Sequence, residues 1–209
     1  MGSHCCSEKK FEGVSVRYKR VLWVVIALNA IMFGVEMTAG LFAQSQALQA
    51  DALDFLADSV TYALSLWVIG KSIRMRTTVA IGKGLSLSFI GAWVLLSTIY
   101  QMTGVHSPEP VTMSWVAAAA LGVNILSVIL LISYKDGDAN VRSVWLCSRN
   151  DAIGNVAVIL AASGVWATQS GWPDLIVAFF MATLFFSSSL QIIRQALAER
   201  REALLHNTM

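Results

Sequence analysis

Charged residues are scarce in this chain. Only 13% of its 209 residues are Asp, Glu, Lys or Arg, whereas 56% are hydrophobic. Because an average soluble domain has about 25% charged residues, this deficit indicates that lipid is the main solvent of the protein. The net charge of +2 is small, and we expect no nucleic acid partner.

Cysteine and histidine are also few, and they are listed here in full: Cys5, Cys6, Cys147, His4, His106 and His206. Three cysteines do not make a convincing disulfide framework. Neither an H-E-x-x-H motif nor a serine–histidine arrangement is present, which argues against an intramembrane hydrolase. We therefore expect no enzyme activity and no cofactor. Because the first 20 residues are polar and basic, we also expect no cleavable signal peptide.

Long apolar runs dominate the rest of the chain. Each is close to the ~20 residues that cross the hydrocarbon core of a bilayer, and each should be helical because lipid offers the backbone no hydrogen bonds. The runs cover residues 21–43, 47–70, 79–102, 112–134, 141–168 and 174–194. The sequence thus predicts an all-α, polytopic membrane protein with six transmembrane helices. We expect three parts: a cytoplasmic tail (1–20), a transport domain (21–194) and a short cytoplasmic tail (195–209).

The basic residues support this topology. Fourteen of the fifteen Lys and Arg residues fall before the first run, after the last run, or near the second and fourth connections. All these places lie on one side of a six-span arrangement, and the positive-inside rule assigns that side to the cytoplasm. Both termini should therefore be cytoplasmic. The exception, Arg149, should pair with an acidic partner such as Glu36, lie in a water-filled cavity, or extend to the membrane surface near the cytoplasmic end of its helix.

The segment "QADALDFLADSV" contains three aspartates in an otherwise apolar run. On a helix, Asp51, Asp54 and Asp58 lie within about 60° of one another, on one face. An ionised aspartate at the bilayer centre costs about 2.5–3.5 kcal/mol on insertion scales, so three cannot face lipid. Protonation or a bound cation would relieve the cost. A site that alternates between the two would exchange protons for a cation.

The fifth run contains a complementary segment, "WLCSRNDAIGN". Cys147, Asp151 and Asn155 follow one another at intervals of four residues and therefore share a helix face. If this helix face packs against the face that contains Asp54 and Asp58, each face contributes a pair of side chains, and together they supply four oxygen and sulfur ligands. Such a set suits tetrahedral Zn²⁺ and also softer ions such as Cd²⁺. We predict a metal site formed by Asp54, Asp58, Cys147 and Asp151.

Other residues are candidate accessory groups, with structural alternatives beside them. Asp51, Asn155 and Glu36 could assist from a second layer or only pack, and Cys147 alone could be a small buried hydrophobe. A cytoplasmic cluster of His4, Cys5 and Cys6 could capture metal or be part of a disordered tail. Asn29 and Asn124 should form interhelical hydrogen bonds, and the small residues of "GKGLSLSFIGA" and "AAAALG" should allow close helix packing.

These segments resemble one family. The stretch "ALNAIMFGVEMTAGLFAQSQALQADALDFLADSVTYALSL" is similar to the first two helices of the cation diffusion facilitators, whose second helix has the pattern [HD]-x-x-x-D at the positions of Asp54 and Asp58. The fifth helix of the family usually has H-x-x-x-D, to which Cys147 and Asp151 correspond. Cysteine replaces the usual histidine, which puts metal selectivity in doubt. No segment of these 209 residues corresponds to the C-terminal cytoplasmic domain that the family usually has, so we expect a member without that domain.

The resemblance implies a homodimeric six-helix antiporter that exports a divalent metal against protons by alternating access. We expect a multi-pass protein of the plasma (inner) membrane, if the source is bacterial, that dimerises through its transmembrane helices. Its transported ion would be Zn²⁺, with Cd²⁺ as a second substrate. Two alternatives are a proton-coupled exporter of small organic cations, for which seven tryptophans could line a cavity, and a metal-binding membrane sensor without transport.

Overall fold

Six long α-helices make up the part of the chain that the structure describes. The computed structural model describes residues 15–69, 71–104, 106–135 and 139–206. Its helices are α1 (Val16–Phe42), α2 (Gln46–Trp67), α3 (Ile73–Met102), α4 (Pro110–Leu131), α5 (Ala139–Thr168) and α6 (Trp172–His206), and a 3-10 turn (Ile132–Tyr134) follows α4. Within the described ranges there is no β-strand, so the prediction of an all-α fold with six helices is confirmed.

Several helices extend beyond the predicted apolar runs. α1 and α3 begin earlier than expected, at N-caps formed by the side chains of Ser15 and Ser72. α6 continues to His206, past the end of its apolar run at residue 194. The length of an apolar run reflects the thickness of the hydrocarbon core, whereas the helix ends depend on which residue can satisfy the free backbone groups.

The helices pack mainly in pairs. α3 packs along α6, α1 along α2, and α4 along α5, while α1 also contacts α4 and α2 contacts α3, α5 and α6. One cluster of buried apolar residues, which includes Val94, Met113, Val158 and Phe185, joins α2 to α3, α4, α5 and α6. A second cluster, which includes Tyr18, Tyr62, Leu131 and Val144, fills the opposite end of α1, α2, α4 and α5.

A buried carboxylate of α6 fixes the beginning of α2. Asp174 accepts hydrogen bonds from Ser45 Oγ (2.6 Å), Gln46 N (2.7 Å) and Ala47 N (3.1 Å). Ser45 Oγ in turn accepts a hydrogen bond from Leu48 N (3.1 Å). A negative group is favourable at a helix N-terminus, where backbone N–H groups lack partners. This contact sets where α2, and with it the aspartate stripe, begins relative to α6.

Polar and apolar residues are distributed as expected for a membrane protein. The outer surface exposes more than half of several large apolar side chains, such as Trp23, Phe42, Phe89, Trp115, Leu160 and Trp166. The interior buries polar side chains, including Asn29, Glu36, Asp51, Asp58, Asn124, Asn155 and Asp174. Soluble proteins show the opposite preference, so lipid is the solvent that fits this surface.

Among the described residues, five of the six helices are long and apolar enough to cross a membrane. The exception is α2, whose composition includes Asp51, Asp54 and Asp58. Asp51 and Asp58 are buried and Asp54 is half-buried, since α2 lies among α1, α3, α5 and α6. The protein interior therefore surrounds the charged face of α2, which an isolated helix would expose to lipid.

Candidate metal site

The three aspartates of α2 share one face of the helix, as their spacing predicts. This face is directed toward the interior of the bundle, where Asp51 accepts a hydrogen bond from α5 and lies beside Glu36 of α1. Asp54 and Asp58 lie further along the same face, beside Asp151 of α5. The stripe therefore lies between α1 and α5.

Asp151 brings α5 into contact with this stripe. Its carboxyl group lies within hydrogen-bonding reach of the carboxyl groups of both Asp54 and Asp58. Cys147 lies one turn before Asp151, is half-buried, and is a free thiol within electrostatic range of the same two α2 carboxyls. The structure thus brings together the two residue pairs that the sequence singled out on separate helices.

Tyr62 is part of this cluster and was missed in the sequence. Its hydroxyl donates a hydrogen bond to Asp58 and lies 3.4 Å from both Val144 O and Ser148 Oγ of α5. Tyr62 is fully buried. Its spacing of four residues from Asp58 places it on the aspartate face, and this spacing was the available signal. Tyr62 occupies one acceptor position of Asp58 and connects α2 to α5.

A separate set of buried polar side chains, here called the Asp51 network, extends from Asp51 to Asn155, Asn124 and Glu36. Asn155 Nδ2 donates to Asp51 Oδ2 (2.6 Å), and Asn124 Nδ2 donates to Asn155 Oδ1 (3.0 Å). All three residues are buried, so these bonds satisfy groups that have no access to water. The prediction that Asn124 forms an interhelical bond is confirmed. Asn29 instead donates to Val25 O of its own helix (2.8 Å).

Glu36 of α1 is the remaining member of the Asp51 network. It is fully buried, its carboxyl group lies against that of Asp51, and neither of its oxygens has a donor in the part of the chain that the structure describes. Two neighbouring carboxyl groups repel each other when both are ionised, and a proton or a cation between them would relieve this repulsion. Asp51 and Glu36 therefore form a buried carboxyl pair that adjoins Asp54.

The aspartates line a narrow gap inside the bundle. The gap is too narrow to admit a water molecule and is lined by Asn29, Asp51, Asp54, Phe55, Asn124 and Asp151. Across residues 15–69, 71–104, 106–135 and 139–206, no group of three or more His, Cys, Asp or Glu side chains is already arranged to hold a metal ion. Coordination by the four predicted residues therefore requires their side chains to turn toward a common point.

The remaining predicted residues lie elsewhere. Arg149 is exposed, donates to Asn150 Oδ1 (3.2 Å), and lies 5.5 Å from the centre of the Trp145 ring. The alternative in which Arg149 pairs with Glu36 is therefore wrong, because Glu36 is buried against Asp51 instead. The accessory cluster of His4, Cys5 and Cys6 lies outside the described residues.

Comparison with known proteins identifies the class to which this helical bundle belongs. Residues 22–199 match the family model described as the cation efflux transmembrane domain. Because this match covers most of the chain, the protein belongs to the cation efflux family, as the sequence resemblance predicted. It is therefore an integral, multi-pass membrane protein of a transporter family rather than an enzyme family.

Curated relatives are similar at low identity over most of the chain. The chain is 24% identical to the metal cation efflux system protein CzcD of Cupriavidus metallidurans over 87% of its length. It is 23% identical to a "cadmium, cobalt and zinc/H(+)-K(+) antiporter" of Bacillus subtilis over 86%, and 25% identical to the "proton-coupled zinc antiporter SLC30A2" of Rattus norvegicus over 94%. The matches cover 63%, 62% and 59% of these relatives, so the chain spans about three-fifths of their length.

Proposed function

We propose that this protein exports Zn²⁺, and also Cd²⁺, from the cytoplasm in exchange for protons by alternating access. The observation that carries the proposal is the cluster formed by Asp54, Asp58 and Asp151, with Cys147 one turn away on α5. Asp54 and Asp58 each lie beside Asp151 inside an apolar bundle, and a divalent cation bound between them would neutralise these buried carboxylates. The names of the relatives, which include zinc and cadmium efflux proteins and proton-coupled antiporters, support this choice of substrates.

The ligand types agree with the proposed ions. Carboxylate oxygens bind many divalent cations, but a thiolate favours Zn²⁺ and softer ions over Mg²⁺ or Ca²⁺. In this assignment Asp54, Asp58, Cys147 and Asp151 hold the ion, and Tyr62 releases Asp58 as the ion enters. Asp51, Glu36 and Asn155 do not bind the ion in this assignment. They belong to the Asp51 network, which orients the metal ligands from a second layer.

Proton exchange follows from the same residues. Carboxyl and thiol groups must lose their protons to coordinate a metal, so metal uptake on the cytoplasmic side releases protons. On the opposite side a more acidic medium returns protons to the carboxylates and displaces the ion. The inward movement of protons would thus provide the free energy for metal efflux.

The assembly and location are part of the proposal. We infer that both termini face the cytoplasm, that two copies associate through their transmembrane helices, and that a bacterial protein of this kind lies in the inner membrane. The positive-inside distribution of fourteen of the fifteen basic residues supports the orientation. The apolar outer surface of the helices supports contact with lipid or with a second copy.

The alternative functions have less support. An organic cation exporter would need an aromatic-lined cavity, yet the aspartate gap has one aromatic lining residue, Phe55. Six of the seven tryptophans lie on the exposed surface rather than around the gap: Trp23, Trp67, Trp93, Trp115, Trp166 and Trp172. A metal sensor without transport would use the same ligands, and only a flux measurement separates it from an exporter.

Metal binding by ligand variants tests the assignment. We expect Asp54→Asn, Asp58→Asn and Asp151→Asn each to weaken Zn²⁺ binding by at least about 100-fold, since even second-layer changes cost 10–100-fold. Cys147→Ser should weaken Cd²⁺ binding about tenfold more than Zn²⁺ binding, because it removes the soft ligand. Isothermal titration of the purified protein measures both affinities.

Glu109→Gln is the control for loss of a carboxylate. Glu109 is exposed and caps α4 by accepting hydrogen bonds from Thr112 N (2.6 Å) and Val111 N (3.0 Å). It is far from the cluster in the sequence and should not affect metal affinity. An aspartate variant that binds Zn²⁺ as tightly as the Glu109→Gln control would remove that aspartate from the ligand set.

A further inference from the structure

Lys83 is placed differently from its basic neighbours. Lys71, Arg74 and Arg76 are exposed near the beginning of α3, as expected for residues at a membrane surface. Lys83 lies further along the helix, is half-buried, and its Nζ donates a hydrogen bond to Ser65 Oγ of α2 (3.0 Å). Ser65 itself is buried. The ammonium group is therefore directed into the bundle rather than toward the headgroups.

The partner of Lys83 lies on the aspartate face of α2. Asp58, Tyr62 and Ser65 follow one another at intervals of four and three residues, so they continue the stripe toward the end of α2. The charge of Lys83 interacts electrostatically with Asp58 and with Cys147, two of the proposed ligands. A lysine ammonium thus lies at one end of the candidate metal site, on the side that the basic residues assign to the cytoplasm.

We propose that Lys83 is a built-in counter-cation of the metal site, which weakens metal binding enough for the ion to leave. The inference depends on the proposed function, because it concerns the affinity of that site. In the metal-free protein the ammonium group partly balances the charge of Asp58. When a divalent ion is bound, the same fixed charge repels it, and repulsion between cations is strong where water is excluded. Lys83 would therefore be a positioning residue that sets affinity without coordinating the ion.

A purely structural role would have different consequences. Lysine often covers apolar surface with its stem and keeps its charge in water. In that case, removal of the charge would leave metal affinity unchanged or, by disturbing the packing, reduce it. Only the counter-cation role predicts that loss of a charge makes the protein bind its substrate more tightly. The direction of the change therefore separates the two roles.

The test compares two charge-removing variants with a charge-keeping one. Lys83→Gln retains a donor for Ser65 without the charge, Lys83→Met removes both, and Lys83→Arg retains the charge. Lys71→Met is the matched control, because it removes an exposed positive charge near the beginning of the same helix. Zn²⁺ affinity is measured by isothermal titration of the folded, purified protein at one pH and one salt concentration, with thermal unfolding as a check of the fold.

We expect Lys83→Gln and Lys83→Met to bind Zn²⁺ about tenfold or more tightly than the wild type, as the loss of a nearby like charge requires. Lys83→Arg and Lys71→Met should remain close to the wild type. Unchanged or weaker binding by both charge-removing variants would overturn the inference and leave the proposed function standing. Absence of Zn²⁺ binding by the wild-type protein would overturn the proposed function and this inference together.

Discussion

At the scale of single residues, each acidic side chain of α2 has a different environment. Asp51 accepts a hydrogen bond from Asn155 and contacts Glu36, whereas Asp58 accepts one from Tyr62. Asp54 contacts Asp151 of α5. Carboxyl groups that face one another repel when both are ionised, and a proton or a cation between them relieves the repulsion. At the contact between α2 and α5 the carboxyl groups of Asp54, Asp58 and Asp151 lie close to the Cys147 thiol, so this is the place where a metal ion has most to contribute.

The bond between Asn155 and Asp51 gives a prediction for stability. Asn155→Ala leaves the buried Asp51 without its amide donor and leaves Asn124 without an acceptor. We expect the variant to lose about 1–3 kcal/mol of unfolding free energy, the usual cost of leaving a buried polar group unpaired. Thermal or denaturant unfolding in detergent micelles measures the change.

Asn150→Ala is the matched control for this prediction. Asn150 is on the same helix, but it is exposed, and its side chain accepts a hydrogen bond only from the neighbouring Arg149 among the contacts that the structure shows for it. Its replacement should change stability by no more than about 0.5 kcal/mol. Equal stabilities of the two variants would show that the bond between Asn155 and Asp51 contributes little to the fold.

The sequence predicted the residues of the α2–α5 cluster better than it predicted their partners. The four-residue spacing of Asp54 and Asp58, and of Cys147 and Asp151, places each pair on one helix face. Because charged side chains are costly in lipid, these two faces are expected to be directed toward the interior of the bundle. Tyr62 and Lys83 were missed because a tyrosine or lysine near a helix end is usual at a membrane surface. Their orientation toward the aspartates depends on how α2 and α3 pack, which spacing alone does not specify.

At the scale of helices, the most extensive packing is between α3 and α6. A Cβ atom added at Gly91 would lie 3.1 Å from Phe185 Cβ of α6. Ser189 Oγ donates to Gly84 O (2.6 Å) and lies 2.6 Å from Ser88 Oγ. Small residues thus let two backbones approach and let hydroxyl groups bond across the interface, which is how helices associate where lipid removes the hydrophobic driving force.

Gly84 should be intolerant of even a small side chain. A Cβ atom at this position would lie 2.5 Å from Ile193 Cγ1 and 3.3 Å from Ser189 O. We expect Gly84→Ala to destabilise the protein by about 1–2 kcal/mol, as is typical of overpacking. Denaturant unfolding in micelles measures the difference from the wild type.

Gly82 provides the comparison for Gly84. It is on the same helix, is exposed, and has no atom within 4 Å of an added Cβ. Gly82→Ala should therefore stabilise the helix by up to about 1 kcal/mol, since alanine has a higher helix propensity than glycine. If Gly84→Ala is as stable as Gly82→Ala, the close contact between α3 and α6 does not contribute to stability in the membrane protein.

The segment "GKGLSLSFIGA" predicted this interface from its small residues, and the prediction of close packing is confirmed. The sequence did not identify α6 as the partner, because alanine, serine and glycine also occur in the fourth run. It also did not predict that Asp174 caps α2, since Asp174 and Ser45 are far apart in the chain. Contacts between distant segments depend on the order in which the helices surround one another.

At the scale of the whole molecule, charge is arranged in two ways. The sequence concentrates the basic residues on one side of the six-span arrangement, which the positive-inside rule predicts to be cytoplasmic, and the acidic residues Glu36, Asp51, Asp54, Asp58 and Asp151 are gathered inside. Both arrangements were visible in the sequence, because each follows from the high cost of charge in lipid. An apolar exterior and an acidic interior together fit the proposed passage of a cation through the bundle.

The most direct test of this account is Zn²⁺ flux into proteoliposomes under an imposed pH gradient. The wild-type protein should move Zn²⁺ opposite to the proton flow, and reversal of the gradient should reverse the movement. Asp58→Asn should abolish the flux, while the exposed-carboxylate control Glu109→Gln should retain it. Zn²⁺ that binds to the wild-type protein but does not cross the membrane under either gradient would contradict the account and leave a metal-binding membrane protein without transport.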